Sequence, residues 1–402
     1  MNMLEELTSL SLKERELLSI VYLTPHISRK VLRETCGMSK SNFYLATKSL
    51  LEAQLLCRGD KVIENVPGRP ADSLYMPQDI LYIFHVYLTK SEYAFALSDI
   101  YGNIVLKSSL YSLRESPRVE PFFSRLSDFY EICTSNSTYR ERLCCCGFIT
   151  GINWTKGYLI RNEFMLPEWF EINFVERIAQ TVHAQIFPID VGNSNIMYLF
   201  HTKYKSTTTD MTFFNLSVGI GISFIRNGVL IEPNMMQFSS VEHWDLNLSD
   251  EECACGNRGC LITDLGATYI ERKYRQYTLK NSGTSGSETS LQEIICYANQ
   301  YNDPCAISLF ERAANALFML IKLISMLAPA DIIVVSGKLF ENNPFLMEKL
   351  NQKVENARLN GTIVYETMTL DCCVQGCSFY LMNKFLQPEP TSIISTTFSN
   401  RM

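Results

Sequence analysis

Between Val241 and Thr263 the chain reads VEHWDLNLSDEECACGNRGCLIT, the stretch that most narrowly restricts its folding. Four side chains stand in a fixed pattern: His243, Cys253, Cys255 and Cys260. Three thiolates and one imidazole complete a tetrahedral shell for zinc. Gly256 and Gly259 allow the tight backbone turns that bring the last three sulfurs together. Four protein ligands leave no coordination position for water, so one structural zinc per chain is expected, with no hydrolytic role. The bland alternative is a set of spare cysteines near an unrelated histidine, and it accounts poorly for so dense a pattern.

The 402 residues are too many for one ordinary core, so two or three domains are expected. Apolar residues make up 47% and charged residues 19%, a balance that excludes a disordered chain. No apolar run is long enough to span a membrane, and MNMLEELTSL does not read as a signal peptide. The 14 cysteines include the runs Cys144-Cys145-Cys146 and Cys372-Cys373. Such runs suit a reducing cytoplasm, where cysteine packs as a small hydrophobe, better than a disulfide framework. The net charge of −6 argues for no nucleic acid by itself. Its distribution says more, since eight basic residues face four acidic ones between Ser28 and Arg69.

That basic segment belongs to an N-terminal unit, residues 1–76. Ser11 to Glu14 forms a capping box, followed by Leu17, Leu18, Val21 and Tyr22 at helical spacing. A second helix is expected over about Ser28 to Thr35, burying Val31 and Leu32. Cys36-Gly37-Met38 then turns, and Ser39 caps a third helix through about Ala53. Two strands, Leu55 to Arg58 and Lys61 to Asn65, are expected to join at Gly59-Asp60, with Pro67-Gly68-Arg69-Pro70 ending the hairpin. Three helices and a hairpin make a winged helix-turn-helix, whose last helix enters the major groove of DNA. On that helix Lys40 and Lys48 suit phosphate contacts, while Ser41, Asn42 and Tyr44 suit base edges. Arg69, held between Gly68 and Pro70, is placed to reach a minor groove. The competing reading is a protein-interaction domain with a merely solvated polar face.

Beyond residue 76 strands alternate with helices. Leu81 to Leu88, Tyr93 to Ser98 and Ile104 to Ser109 read as an antiparallel set, and later strands at Cys144, Gln185, Thr212, Ile220, Val229, Asp331 and Thr362 are separated mainly by helical stretches. Lys280 to Ser290 reads as a polar loop, and residues 387–402 as a tail.

The zinc pattern, the segment Gly68-Arg69-Pro70-Ala71 and the stretch from Ala328 to Gly337 resemble the ROK family, named for repressors, open reading frames and kinases. The resemblance implies a mixed α/β chain: the winged helix-turn-helix, then a two-lobed, actin-like or sugar-kinase-like domain over residues 77–386. Lobe 1 is expected over about 77–190 with the helix 373–386, and lobe 2 over about 191–372. The departures from the family pattern are informative. The nucleotide loop falls at Tyr87 to Ser91, where its aspartate and two glycines are missing. The position of the catalytic aspartate holds Asn193, which cannot take up a proton from a sugar hydroxyl. Ser240 and Ile262 stand where the family has sugar-binding glutamates. Asn193, Asn195 and Ser240 remain as candidates for holding a polar ligand in the cleft.

These readings converge on a cytoplasmic, non-catalytic repressor of carbohydrate-related genes. Its expected partners are a double-stranded DNA operator and further copies of itself, as a homodimer or tetramer, with a sugar or sugar derivative as effector. The alternatives are an active ATP-dependent sugar kinase and a regulator answering to a protein partner.

Overall fold

A computed structural model describes residues 7, 9–62, 71–162, 164–232, 241–282, 289–357 and 359–387. The N-terminal unit begins with α1 (Leu12–Leu23), where Ser11 and Glu14 form the reciprocal capping box and Leu17, Leu18, Val21 and Tyr22 are buried. It continues through β1 (Ile27–Ser28), α2 (Arg29–Thr35), α3 (Lys40–Glu52), β2 (Cys57–Val62) and β3 (Ala71–Tyr75). Ser28 and Ser39 each accept a backbone N–H at the start of the helix that follows. On α2 only Leu32 is buried, while Val31 is 41% exposed, because the seven-residue helix turns a single narrow stripe inward.

The hairpin differs from the sequence expectation. Gly59 and Asp60 do not turn the chain; they lie inside β2, which pairs with β3 in antiparallel register. Between the pairs Arg58↔Leu74 and Lys61↔Asp72 two residues face one, which is a β-bulge. Glycine fits this position because a Cβ on Gly59 would meet the Ser73 hydroxyl at 2.5 Å. The chain therefore reverses between residues 63 and 70, which lie outside the described residues together with Arg69 and the Pro67–Pro70 segment.

The remainder is built from two sheets with the same plan. In the first, β4 (Tyr82–Leu88), β5 (Glu92–Asp99) and β6 (Ile104–Lys107) run antiparallel, and β7 (Tyr111–Ser112) adds to β5. After α4 (Glu120–Ser135) and α5 (Ser137–Arg142), β8 (Leu143–Thr150) joins β4 in parallel. A small hairpin, β9 (Trp154–Thr155) and β10 (Tyr158–Leu159), and α6 (Phe174–Val182) precede β11 (Ile186–Asp190), parallel to β8. Then α7 (Val191–Leu199) crosses to the second sheet.

There β12 (Met211–Leu216), β13 (Ile220–Arg226) and β14 (Val229–Ile231) form the antiparallel meander. The helices α8 (Ile262–Leu265), α9 (Ala267–Ser282), α10 (Leu291–Gln300) and α11 (Pro304–Leu327) follow. Next, β15 (Ile332–Ser336) joins β12 in parallel, α12 (Pro344–Ala357) follows, and β16 (Thr362–Tyr365) closes the sheet. The closing helix, α13 (Leu370–Leu386), occupies in the second repeat the place of α7 in the first. Two five-stranded cores of one topology, each ending in a helix that crosses to its neighbour, form two lobes with a cleft between them. Among the described residues no helix is long and apolar enough to cross a membrane.

Helices α7 and α13 touch backbone to backbone, because a Cβ on Gly376 would run into the Ser194 carbonyl. The N-terminal helices share one continuous core with α13, α7 and the inner face of the first sheet. Tyr22 seals this junction. Its ring stacks on Tyr101 at 5.1 Å and its hydroxyl donates to the Ile100 carbonyl at 2.9 Å. All 14 cysteines are free thiols, and Cys144, Cys145 and Cys146 lie buried in β8 as packing residues.

Candidate functional site

The cysteine hairpin folds as its glycines require. Cys253 opens a turn closed by the Gly256 N–H on the Cys253 carbonyl at 2.9 Å. Gly256 and Gly259 hold φ values of 89° and 74°, the left-handed region that favours glycine. Gly259 also lies tight against Asp245 and the Ser249 carbonyl. His243 comes from a short helical turn, Val241–His243. The four ligand atoms of His243, Cys253, Cys255 and Cys260 all lie within 4.8 Å of one another. Cys253 Sγ is 3.5 Å from His243 Nδ1, and Cys255 Sγ is 3.7 Å from Cys260 Sγ. Tetrahedral zinc with Zn–S of about 2.3 Å and Zn–N of about 2.05 Å requires separations of about 3.6 and 3.8 Å. The donors therefore fit that ion in both chemistry and spacing. Tyr269, buried on α9, supports the hairpin by accepting the Ala254 N–H at 3.0 Å.

A cavity of about 190 Å³ opens between the lobes. Asn193 lines it, at the start of α7. Asn195 does not line it: two residues further along α7 its side chain is buried, and its Oδ1 accepts the Cys373 thiol at 3.0 Å. Helical spacing puts it on the face that α13 covers. Ser240 lies outside the described residues, and Ile262 is buried in α8.

Five charged residues of the cleft escape sequence reading: Lys90, Glu92, Asp190, Glu242 and Lys338. Asp190 caps α7, accepting the Gly192 N–H at 2.7 Å. Burial raises its pKa, and the helix N–H groups of Gly192 and Asn193 oppose that rise. Lys90, in the turn after β4, pairs with Glu242 at 3.6 Å. The only sequence hints were Lys90 inside the degenerate loop Tyr87 to Ser91 and Glu242 beside His243. Their pairing needs the fold, because they are far apart in the chain.

On α3, Phe43, Ala46, Thr47 and Leu50 are buried. Lys40, Ser41, Asn42, Tyr44 and Lys48 are all exposed, so the helix offers them together. Lys48 shares its charge with Glu52 at 3.7 Å across one helical turn.

Duplicated lobes around a cleft, with a three-cysteine, one-histidine hairpin on one rim, define a sugar-kinase-like α/β protein. The family model described as "ROK family" matches residues 135–370, more than half of the chain, and the protein belongs to the ROK family. It is 26% identical over 132 residues to the uncharacterized protein YphH of Escherichia coli (strain K12), covering 32% of this chain and 33% of that one. It is 20% identical over 203 residues to a glucokinase of Thermotoga maritima, covering 49% of this chain and 64% of that enzyme. The chain thus spans less than two thirds of either curated relative. Among solved structures, a ROK family transcriptional regulator, homologue of the E. coli MLC protein, superposes with a TM-score of 0.74 at 14% identity, covering 93% of this chain and 96% of that one. A ROK hexokinase from Thermus thermophilus superposes at 0.59 and 15% identity, covering 76% of this chain and 99% of the enzyme. At these identities the likeness establishes the fold.

Proposed function

We propose that the protein is a DNA-binding transcriptional regulator, a repressor of carbohydrate-related genes, whose ROK lobes sense an effector and assemble copies of the chain without catalysing a reaction. The observation that carries this reading is the N-terminal unit. The hexokinase fold uses almost all of itself on 76% of this chain, whereas the regulator fold extends over 93%. We assign the extra portion to the N-terminal unit, which exposes Lys40, Ser41, Asn42, Tyr44 and Lys48 on one helix. Three helices followed by a bulged hairpin are the elements of a winged helix-turn-helix, and α3 is its recognition helix. Paired helices in a homodimer or tetramer double the contacts and read a palindrome. One zinc per chain, held by His243, Cys253, Cys255 and Cys260, fixes the rim of the cleft and leaves no open coordination position. Asn193 supplies no proton acceptor at the position of the family's catalytic base.

Selection of full-length, zinc-loaded protein on a pool of random DNA duplexes tests the reading. Enrichment of a palindromic site is expected, with affinity that falls as salt rises. Lys40→Ala weakens binding to all sequences alike, whereas Asn42→Ala or Tyr44→Ala changes the preferred sequence. A pool that never enriches sinks the proposal.

One observation favours a second reading, an ATP-dependent sugar kinase: Asp190 keeps a carboxylate in the cleft three residues before Asn193. Sugar-dependent ATP turnover that disappears in Asp190→Asn would establish it.

A further inference from the structure

The cleft contains a partly buried ion pair that joins the lobes. Lys90 belongs to lobe 1 and Glu242 to the turn that carries the metal-site residue His243. Their side chains are 14% and 15% exposed, and Nζ stands 3.6 Å from Oε1. The pair rests on the backbone of Gly219, where an added Cβ would meet Glu242 Oε2 at 2.7 Å and Lys90 Nζ at 3.2 Å. Lys90 also faces the Phe164 ring at 5.5 Å. A second cation, Lys338, lines the same cleft and makes no ion pair among the described residues. Nearby Asn193, Asn215 and Ser217 offer neutral hydrogen-bonding groups, and two more carboxylates, Glu92 and Asp190, line the cleft, Asp190 being held by the Gly192 N–H at 2.7 Å.

Burying an ion pair roughly balances attraction against desolvation, so such a pair is a weak source of stability. The balance changes little if another anion takes the place of the carboxylate. A ligand oxygen at Lys90 would keep that cation paired and leave Glu242 to His243, whose Nε2 stands 3.6 Å from the same Oε1. Lys338 would then add attraction that Glu242 does not use. A neutral ligand gains neither effect and leaves the internal pair intact.

We propose that Glu242 is a built-in competitor for a small anionic ligand, a polyol bearing phosphate or carboxylate, which Lys90 and Lys338 bind in the cleft. This rests on the cleft being the effector site but not on DNA binding. The consequence is reciprocal: removing Glu242 strengthens anion binding, and removing Lys90 weakens it. Because Glu242 adjoins His243, exchange at Lys90 also frees the metal-bearing rim from lobe 1.

The test is isothermal titration of the full-length, zinc-loaded protein at fixed ionic strength. The probes are glucose 6-phosphate, gluconate, inorganic phosphate and glucose. At least one of the three anions is expected to bind, and the comparison of phosphate with carboxylate identifies which anionic group is read. Glu242→Gln is expected to tighten that anion by about tenfold, the scale of one exchanged charge pair, and to leave glucose unchanged. Lys90→Met and Lys338→Met are expected to weaken it. Zinc content and unfolding temperature establish that each variant is folded, and the Glu242→Gln comparison stands even if Lys90→Met does not fold. Unchanged or weaker anion binding in Glu242→Gln overturns the proposal. So does glucose binding as tightly as every anion, or no anion binding to either wild type or Glu242→Gln. Failure to bind any DNA duplex would sink the regulator reading and leave these titrations unaffected.

Discussion

At the scale of single residues, the one-histidine, three-cysteine cluster was legible because its chemistry and spacing sit within one short stretch. His243, Cys253, Cys255 and Cys260 need only two glycine turns and one short helical turn to converge. Lys90, Glu92, Asp190, Glu242 and Lys338 were not legible as a group, because they are scattered along the chain and the fold alone gathers them. Asn195 shows the opposite error: a polar residue in a promising motif points into the core and satisfies a cysteine. The ligand set carries a direct prediction. Cys253 and Cys260 are buried, so without metal the hairpin would leave thiols and imidazole crowded with no ion to hold them. Metal analysis of the wild type is expected to give one zinc per chain, and Cys260→Ser to give close to none. Structural zinc contributes on the order of 10 kcal/mol in small domains that fold around it. Here α9 and the second-sheet core also support the hairpin, so a loss of about 3 kcal/mol or more is expected in denaturant unfolding. A metal-free wild type of full stability would remove the clip from the account.

At the scale of elements, legibility followed the strength of periodicity. β16 begins at Thr362, where a strand was expected, and α11 and α12 fall in the stretches expected to be helical. α9 went unread because it is dense in charge at Glu271, Arg272, Lys273 and Arg275, among which Ala267, Tyr269, Ile270 and Tyr274 mark the inner stripe. The hairpin turn was misplaced because Gly-Asp reads as a turn locally, while here it makes a bulge demanded by the approach of Ser73. Contacts between elements were out of reach altogether. α13 is pressed between the Gly102 turn on one side, which meets Gln375, and the Ser194 carbonyl on the other, which meets Gly376. In an exposed helix Gly→Ala gains up to about 1 kcal/mol from propensity. Gly376→Ala should instead destabilise by about 1–3 kcal/mol, because the new methyl has no space unless α7 and α13 separate. Urea unfolding gives the sign, and a more stable variant would show that this crossing yields easily.

At the scale of the whole molecule, α13 touches both the cleft helix and the N-terminal unit. One side holds α7, whose first turn presents Asn193 to the cleft. The other side meets Tyr22 through Phe379, with ring centroids 6.3 Å apart. Packed interiors transmit displacement because they are close to crystalline density, so a shift of α7 has a physical route to α1. The route is only as stiff as its weakest joint, and the Tyr22 junction is small: one stacked ring, one hydroxyl and the neighbouring apolar side chains. Tyr22→Phe removes only the hydrogen bond to the Ile100 carbonyl and should cost about 1 kcal/mol. Tyr22→Ala also removes the stacked ring, at about 3–5 kcal/mol for a buried aromatic. Hydrogen exchange distinguishes a local joint from a general loss of stability. In Tyr22→Ala the amides of α1 should exchange at least about tenfold faster, the equivalent of roughly 1.4 kcal/mol of local opening, while those of β12 and β15 keep their rates. Equal acceleration in all three elements would mean that the N-terminal unit and the lobes unfold as one body, and that Tyr22 is core and not a joint.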